Sequence, residues 1–354
     1  MSRHRYRAKL LLGLMHGEHA FAGPSYVNID LTARCNLNCV GCPFHGPEAS
    51  LRPPSGAHIP RDLPFTLYNS ILTELRALGT PKVHLQGSGE PLLHPEVVRM
   101  TAQARQMGFE VMLLTNGTLL NEATCRELLA AGPDTIRVSF WATTPEEFQH
   151  NTPGNRSEKF QAALEGLRRL AALRARLAGA HTTVAARLVV NRHTWTSLER
   201  AVEVFGGAGA TLLEFHPMHP TTSEAESGAD LRLTPESMEN IRLKAPVVRQ
   251  RLADCGMLHN LDWFLERLDL SPPVWQYAPC YTGWFHVRIG YNGDVRTCCM
   301  CSDDISVVGN VNAESLATIW NGPRMRTFRR LTRTRKALMA LGGHCNCSFC
   351  SSGP

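Results

Sequence analysis

No apolar stretch in this 354-residue sequence approaches the ~20 residues that cross a bilayer. The short apolar run near the start, Leu10 to Met15, is broken by Gly13 and followed by His16. That is too little for a secretory signal core, so neither export nor a membrane span is expected. The chain reads as cytoplasmic, with residues 1–25 forming an extension built on a basic first helix packed on the domain. An excess of one charge is also missing. The 37 Lys and Arg against 31 Asp and Glu leave a formal +6, spread along the chain. A nucleic-acid binder would concentrate such charge in a stripe, so no nucleic-acid partner is expected. Aromatics are sparse at 7%, and there is no internal repeat and no low-complexity tract. What is present is 43% hydrophobic residues, enough to bury a large domain and a smaller one.

Cysteine is the informative abundance. Twelve Cys in a chain without an export signal are unsuited to disulfides, and their clustering points to metal. Three lie near the start: Cys35, Cys39 and Cys42. Seven lie near the end: Cys280, Cys298, Cys299, Cys301, Cys345, Cys347 and Cys350. Cys125 and Cys255 stand apart and are expected to be buried core thiols.

Between residues 26 and 217 short β-rich runs alternate with amphipathic helices. The runs are Tyr26–Leu31, Lys82–Gln86, Glu110–Leu114, Thr135–Phe140, Thr183–Val190 and Thr211–His216. Gly closes most of the intervening helices, as a helix C-terminus favours. Such alternation implies parallel strands with right-handed crossovers. The expected fold class is therefore α/β, with six βα units forming an open partial barrel, short of the eight of a closed one. Residues 218–279 read as a linker and a helical segment. From residue 280 the character changes to turns, short strands and Cys, including a hairpin through Asn292-Gly293.

The loop after the first strand carries Cys35-x3-Cys39-x2-Cys42. Three thiolates on one loop can hold three irons of a 4Fe–4S cube and leave the fourth iron open. Zinc with His45 as a fourth ligand is the alternative. At this position the spacing resembles the radical SAM superfamily, whose members chelate S-adenosylmethionine (SAM) on the open iron. Further motifs carry the same resemblance. GSGEP places Gly87, Ser88, Gly89 and Glu90 after the second strand, with Glu90 implied at the SAM ammonium. Asn116 after the third strand, Ser139 on the fourth and Arg187 on the fifth are implied near the SAM ribose and carboxylate. One departure is Gly41, where many members carry an aromatic residue before the third Cys; Phe44 is the candidate substitute.

The C-terminal Cys pattern resembles the SPASM and Twitch extensions of radical SAM enzymes. Only four residues follow Cys350, and no full C-x2-C-x5-C-x3-C segment is present. The resemblance therefore implies a small Twitch/SPASM-like domain over residues 280–354 with one auxiliary 4Fe–4S cluster. Cys280, Cys298, Cys347 and Cys350 are its implied ligands, with Cys345 or Cys299 as substitutes and a zinc ribbon as the alternative. Cys299 and Cys301 are otherwise buried hydrophobes or hydrogen-atom donors.

The resemblance implies an enzyme that cleaves SAM to a 5′-deoxyadenosyl radical and abstracts a hydrogen atom from a substrate C–H bond. It also implies an electron donor such as flavodoxin or ferredoxin. An auxiliary cluster that accepts the second electron suits a dehydrogenase, by resemblance one oxidising a secondary alcohol of an aminocyclitol or aminosugar in antibiotic biosynthesis. Glu214 and His216 on the sixth strand, and His84 and Gln86 on the second, are candidates for substrate contact and for the base. The alternatives are an epimerase or decarboxylase of a sugar-like substrate, and a peptide-modifying SPASM enzyme. Only 34 residues precede Cys35, too few for a peptide-recognition domain, which favours a small polar substrate.

Overall fold

The computed structural model describes residues 3–47, 49, 61–177, 179, 181–218, 231–268, 279–298 and 303–333. In chain order the strands are β1 (Tyr26–Asp30), β2 (Lys82–Gln86), β3 (Glu110–Thr115), β4 (Thr135–Phe140) and β5 (Thr183–Val190). They continue with β6 (Leu212–Pro217), β7 (Leu258–His259), β8 (His286–Ile289), β9 (Asp294–Arg296) and β10 (Val307–Asn310). The helices are α1 (Arg3–His16), α2 (Phe65–Leu78), α3 (Val97–Gln106), α4 (Glu122–Ala131), α5 (Pro145–Asn151), α6 (Glu158–Arg176) and α7 (Leu198–Gly207). After them come α8 (Pro235–Asp254), α9 (Leu261–Leu268), α10 (Thr282–Phe285), α11 (Asp303–Ser306), α12 (Leu316–Trp320) and α13 (Pro323–Leu331). Two compact units interleave in sequence: residues 1–34, 55–111 and 271–354, and residues 35–54 and 112–270.

In the first unit β2, β1 and β8 form a parallel ladder, with Tyr26 opposite both Lys82 and His286. The antiparallel β8–β9–β10 meander extends it. Strand alternation sends Val27, Ile29, Val83, Leu85, Val287 and Ile289 to one face, where all are buried. Tyr26, Asn28, Asp30, His84, Gln86, His286 and Arg288 occupy the other face. Tyr26 stacks between His84 and His286, at ring separations of 5.1 and 4.7 Å. Burial, helped by the Arg288 charge, pushes the His286 imidazole down to about 4, so it is neutral at physiological pH. The hairpin expected at Asn292-Gly293 is present, with Gly293 at φ 87°. Its parallel union with β1 was not legible, because the partners lie about 260 residues apart.

The first helix departs from expectation. Leu11, Leu12 and Met15 of α1 are 60, 53 and 83% exposed rather than packed. The helix docks through its glycine side instead: Gly13 is buried, and the Trp284 indole donates to its carbonyl at 3.2 Å.

In the second unit β3, from Met112 onward, and β4 to β7 form a parallel ladder. Its registers are Met112 with Thr135, Thr135 with Thr183, Ala185 with Leu212 and Leu212 with Leu258. Helices cover the apolar face. One of them, α6, buries Phe160, Ala163, Leu164, Leu167, Leu170 and Leu173, the spacing of one helical face. Helix α4 starts where the Asn121 side chain accepts from the Thr124 N–H at 2.9 Å, and ends at Gly132 in the left-handed region. Cys125 lies buried on α4, which pushes its thiol up to about 11. Cys255, by contrast, is exposed at the end of α8, so it is no core thiol.

Gly166 on α6 sits against the turn after β3. A Cβ there would fall 2.6 Å from the Gly117 carbonyl oxygen and 2.8 Å from Leu120 Cβ. Helix propensity alone would make Gly166→Ala stabilising by ~1 kcal/mol. The backbone contact cannot yield cheaply, so the net result is destabilisation of about 1–3 kcal/mol, measurable by urea unfolding.

Candidate functional site

Cys35, Cys39 and Cys42 lie on a loop of the second unit without regular structure, and side chains replace the missing ladder. Asn36 is the hub. Its amide donates to Thr118 Oγ1 at 2.8 Å and its carbonyl oxygen accepts from the Asn116 amide at 2.8 Å. Lys159 on α6 donates to the Asn36 backbone oxygen at 2.5 Å and to Asn155 at 2.7 Å. Asn38 is tied to Asn155 and to the Pro153 carbonyl. The Val40 N–H reaches the Asn151 carbonyl at 2.9 Å, and the Cys42 N–H closes a turn on Cys39 at 2.9 Å. Burial pushes the Cys39 thiol well up, and the neighbouring Cys42 and Cys35 push it further. The three sulfurs are thus electrostatic neighbours.

The departure at Gly41 has a packing cause. A Cβ there would fall 2.4 Å from Met218 Cε and 2.9 Å from the Trp141 ring. Trp141 packs with Val40, Val189, Met218 and Leu231, so an aromatic side chain at position 41 has no room.

The GSGEP segment belongs to the first unit, and its glycines are a steric requirement. A Cβ on Gly89 would lie 2.1 Å from the Arg34 carbonyl oxygen, and one on Gly87 2.7 Å from the Gly89 oxygen. Glu90 is 2% exposed; its carboxylate caps a 3₁₀ turn by accepting from the Leu92 N–H at 3.0 Å. Ser88 is committed to a network that sequence reading missed. It donates to Asp30 at 2.8 Å, and Arg288 pairs with the same carboxylate at 2.7 Å.

On the sheet face of the second unit, Ser139 lies opposite Arg187, which lies opposite Glu214. Glu214 accepts from Arg187 at 3.0 Å and from Arg137 at 2.5 Å, making a triad of two guanidiniums on one carboxylate. Arg137 escaped notice in the sequence, although it precedes Ser139 by two residues and so shares its face. Burial pulls the Arg137 guanidinium down to about 10, with Arg187 adding to the shift. His216, next on the Glu214 face, stacks on Trp263 at 6.4 Å. Asn116 uses its oxygen on the Thr118 N–H at 3.0 Å as well as its amide on Asn36.

Of the C-terminal thiols, Cys280 is buried and its N–H donates to the Thr332 carbonyl at 2.8 Å. Cys298 follows β9 and is half-buried. Cys299, Cys301, Cys345, Cys347 and Cys350 lie outside the described residues. Among the described residues no three Cys, His, Asp or Glu converge as ligands of a single ion would. Thiolates that each hold a separate iron of a cube have no need to do so.

The radical SAM superfamily model matches residues 29–207, just over half of the chain. The chain belongs to the radical SAM superfamily. A second model, the iron–sulfur cluster-binding SPASM domain, matches residues 280–348. The radical SAM chain is 24% identical over 335 residues to a Pyrococcus furiosus tungsten-containing aldehyde ferredoxin oxidoreductase cofactor-modifying protein, covering 87% of this chain and 84% of that one. It is 26% identical to a PqqA peptide cyclase of Xanthomonas campestris, covering 86% and 76%. Several other relatives match only locally, and the chain spans less than half of their length. Among solved structures, Streptococcus suis SuiB bound to S-adenosylmethionine superposes with a TM-score of 0.68 at 15% identity, covering 98% of this chain and 76% of that one. The fold class is the family's, an α/β partial barrel with a C-terminal SPASM domain. Its cofactors are SAM, a SAM-binding 4Fe–4S cluster and auxiliary iron–sulfur ligation. Among the described residues no helix is long and apolar enough to cross a membrane.

The triad separates a structural Glu214 from an available base. Glu214→Ala strips the shared counter-charge from two guanidiniums whose side chains are 15 and 24% exposed. Unfolding free energy should fall by about 3 kcal/mol. Adding Arg137→Met to that variant should recover part of the loss. Equal stability of Glu214→Ala and the parent would show that the carboxylate is not held by the pair.

Proposed function

We propose that this radical SAM enzyme modifies a peptide substrate, the committed step being removal of a hydrogen atom from a substrate carbon. The reading is carried by one observation: this chain, which matches both the radical SAM and the SPASM models, is similar along 86% of its length to a PqqA peptide cyclase. The expectation of a small polar substrate rested on the short segment ahead of Cys35, which carries no comparable weight. A hydroxyl-rich small substrate is the second reading, favoured by the polar face of β1, β2 and β8 with Asp30, Arg288 and His84.

When bound, the cluster and SAM supply a carbon radical able to attack an unactivated C–H bond. The residues of this chain hold and orient. Cys35, Cys39 and Cys42 would bind three irons of the cluster, and Gly87 and Gly89 would let the backbone come close to SAM. Glu90 would take the SAM ammonium on its buried carboxylate, and Asn116 and Ser139 would contact the SAM ribose and carboxylate. Arg187 would pair with the SAM carboxylate, its guanidinium held in direction by Glu214. With Glu214 spent on two arginines, His216 is the better acceptor for a substrate proton. Cys280, Cys298, Cys347 and Cys350 would bind one auxiliary cluster, and Cys299 or Cys301 would serve as a hydrogen donor if the outcome is epimerisation.

Two measurements test this. Glu90→Ala should weaken SAM binding about tenfold, ~1.4 kcal/mol, with iron content unchanged; an unaltered affinity would remove Glu90 from the SAM site. The reconstituted protein, given SAM, a reductant and a short peptide encoded beside its gene, should yield a peptide changed in mass by two hydrogens. Each modified peptide should be matched by one 5′-deoxyadenosine. An unchanged peptide together with a new carbonyl on an aminocyclitol would establish the second reading.

A further inference from the structure

The triad on the sheet face of the second unit is unbalanced in charge. Arg187 and Glu214 alone would be neutral; Arg137 makes the group a net cation. The two guanidiniums use the carboxylate differently. Arg137 gives a terminal nitrogen to one oxygen at 2.5 Å, while its Nε is buried without a partner. Arg187 gives Nε to the other oxygen at 3.0 Å, and its terminal fork is not used on Glu214. The second cation is a poor choice for stability. Burial disfavours its charge, Arg187 disfavours it further, and its Nε forgoes a hydrogen bond. Pulled down to about 10, the guanidinium nevertheless stays protonated at physiological pH.

Strand geometry places Arg137 behind the other two. Ser139, Arg187 and Glu214 share one row across β4, β5 and β6, and Arg137 lies two residues earlier on β4. Ligands of parallel βα sheets sit at the carboxyl ends of the strands, so Arg187 is nearer to them than Arg137. Exposure agrees, at 24% for the Arg187 side chain and 15% for Arg137. To reach Glu214, Arg137 must cross β5, a span of about 10 Å between strands spaced about 4.8 Å apart. The residue opposite it on β5 is Ala185, whose single methyl group leaves that lane open. We propose that Arg137 is a positioning residue for SAM: it cancels the Glu214 charge, so that the Arg187 fork presents an uncompensated cation to the SAM carboxylate. The proposal rests on the reading that Arg187 pairs with that carboxylate. Without Arg137, repulsion between Glu214 and the ligand's carboxylate would offset much of the attraction to Arg187.

The test compares anaerobic binding of two ligands to the cluster-reconstituted protein. One is SAM; the other is decarboxylated SAM, which keeps the sulfonium and the ammonium but lacks the carboxylate. The parent should prefer SAM, and Arg137→Met should cut that preference about tenfold at unchanged iron content. Arg137→Gln, neutral but still able to hydrogen-bond to Glu214, should behave as Arg137→Met does. Arg137→Lys keeps the charge and should keep the preference to within about threefold. Adding Glu214→Gln to Arg137→Met restores a net cation and should recover part of the preference. A side chain needed only for folding would weaken both ligands equally. One needed only for aiming Arg187 would leave the double variant worse than the single. Either result, or an Arg137→Met protein with the parent's preference, overturns the proposal. Arg187→Met separates it from the reading beneath it. If that variant loses the preference while Arg137→Met keeps it, this proposal alone falls. If Arg187→Met keeps the preference, Arg187 is not at the SAM carboxylate and both fall.

Discussion

Three thiolates must sit side by side on a loop that has no ladder to hold it, and they repel one another as they ionise. Desolvation compounds the difficulty, since burial already disfavours the charged form of Cys39. The surrounding chain is organised to meet that constraint. Asn36 spans the turn after β3, the α6 lysine reaches its carbonyl, and Asn38 is fixed by the segment between α5 and α6. Because Asn116 and Lys159 come from opposite ends of the β3–α6 region, the loop is placed only once that region has folded. The close packing of Gly166 on the Gly117 turn serves the same placement.

A second consequence concerns charge. The open sheet face of each unit carries carboxylate–guanidinium groups: Asp30 with Arg288 in one, Glu214 with Arg137 and Arg187 in the other. Such pairs are costly to desolvate and rarely justify themselves by stability. Their value here is direction. A guanidinium held from one side keeps its remaining donors aimed at a fixed point, which is what recognition of a carboxylate requires.

Much of this was legible in the sequence. The six strands of the βα series stand where the short β-rich runs put them, with β1 ending at Asp30 and β6 shifted by one residue to Leu212–Pro217. Alternation reports which face a residue takes, and so the polar face carrying Arg187, Glu214 and His216 was visible. It does not report partners. The union of β8 with β1, the Asp30–Ser88–Arg288 network and the anchoring of Asn36 all join residues far apart in sequence, and single-residue chemistry gives no sign of them. The outward turn of Leu11, Leu12 and Met15 was missed for a related reason: an apolar run is read as buried unless something shows which side is packed. Gly41 was the informative exception, since the space it vacates is filled by Trp141 and Met218.

The central claim is that Cys35, Cys39 and Cys42 hold a cluster with one iron left for SAM. Electron paramagnetic resonance of the dithionite-reduced protein, recorded before and after SAM is added, addresses it directly. One iron–sulfur signal should change on SAM addition, a second should not, and the responsive signal should be missing when Cys35, Cys39 and Cys42 are all replaced by Ala. A spectrum indifferent to SAM, or a responsive signal that survives the triple replacement, would contradict the account.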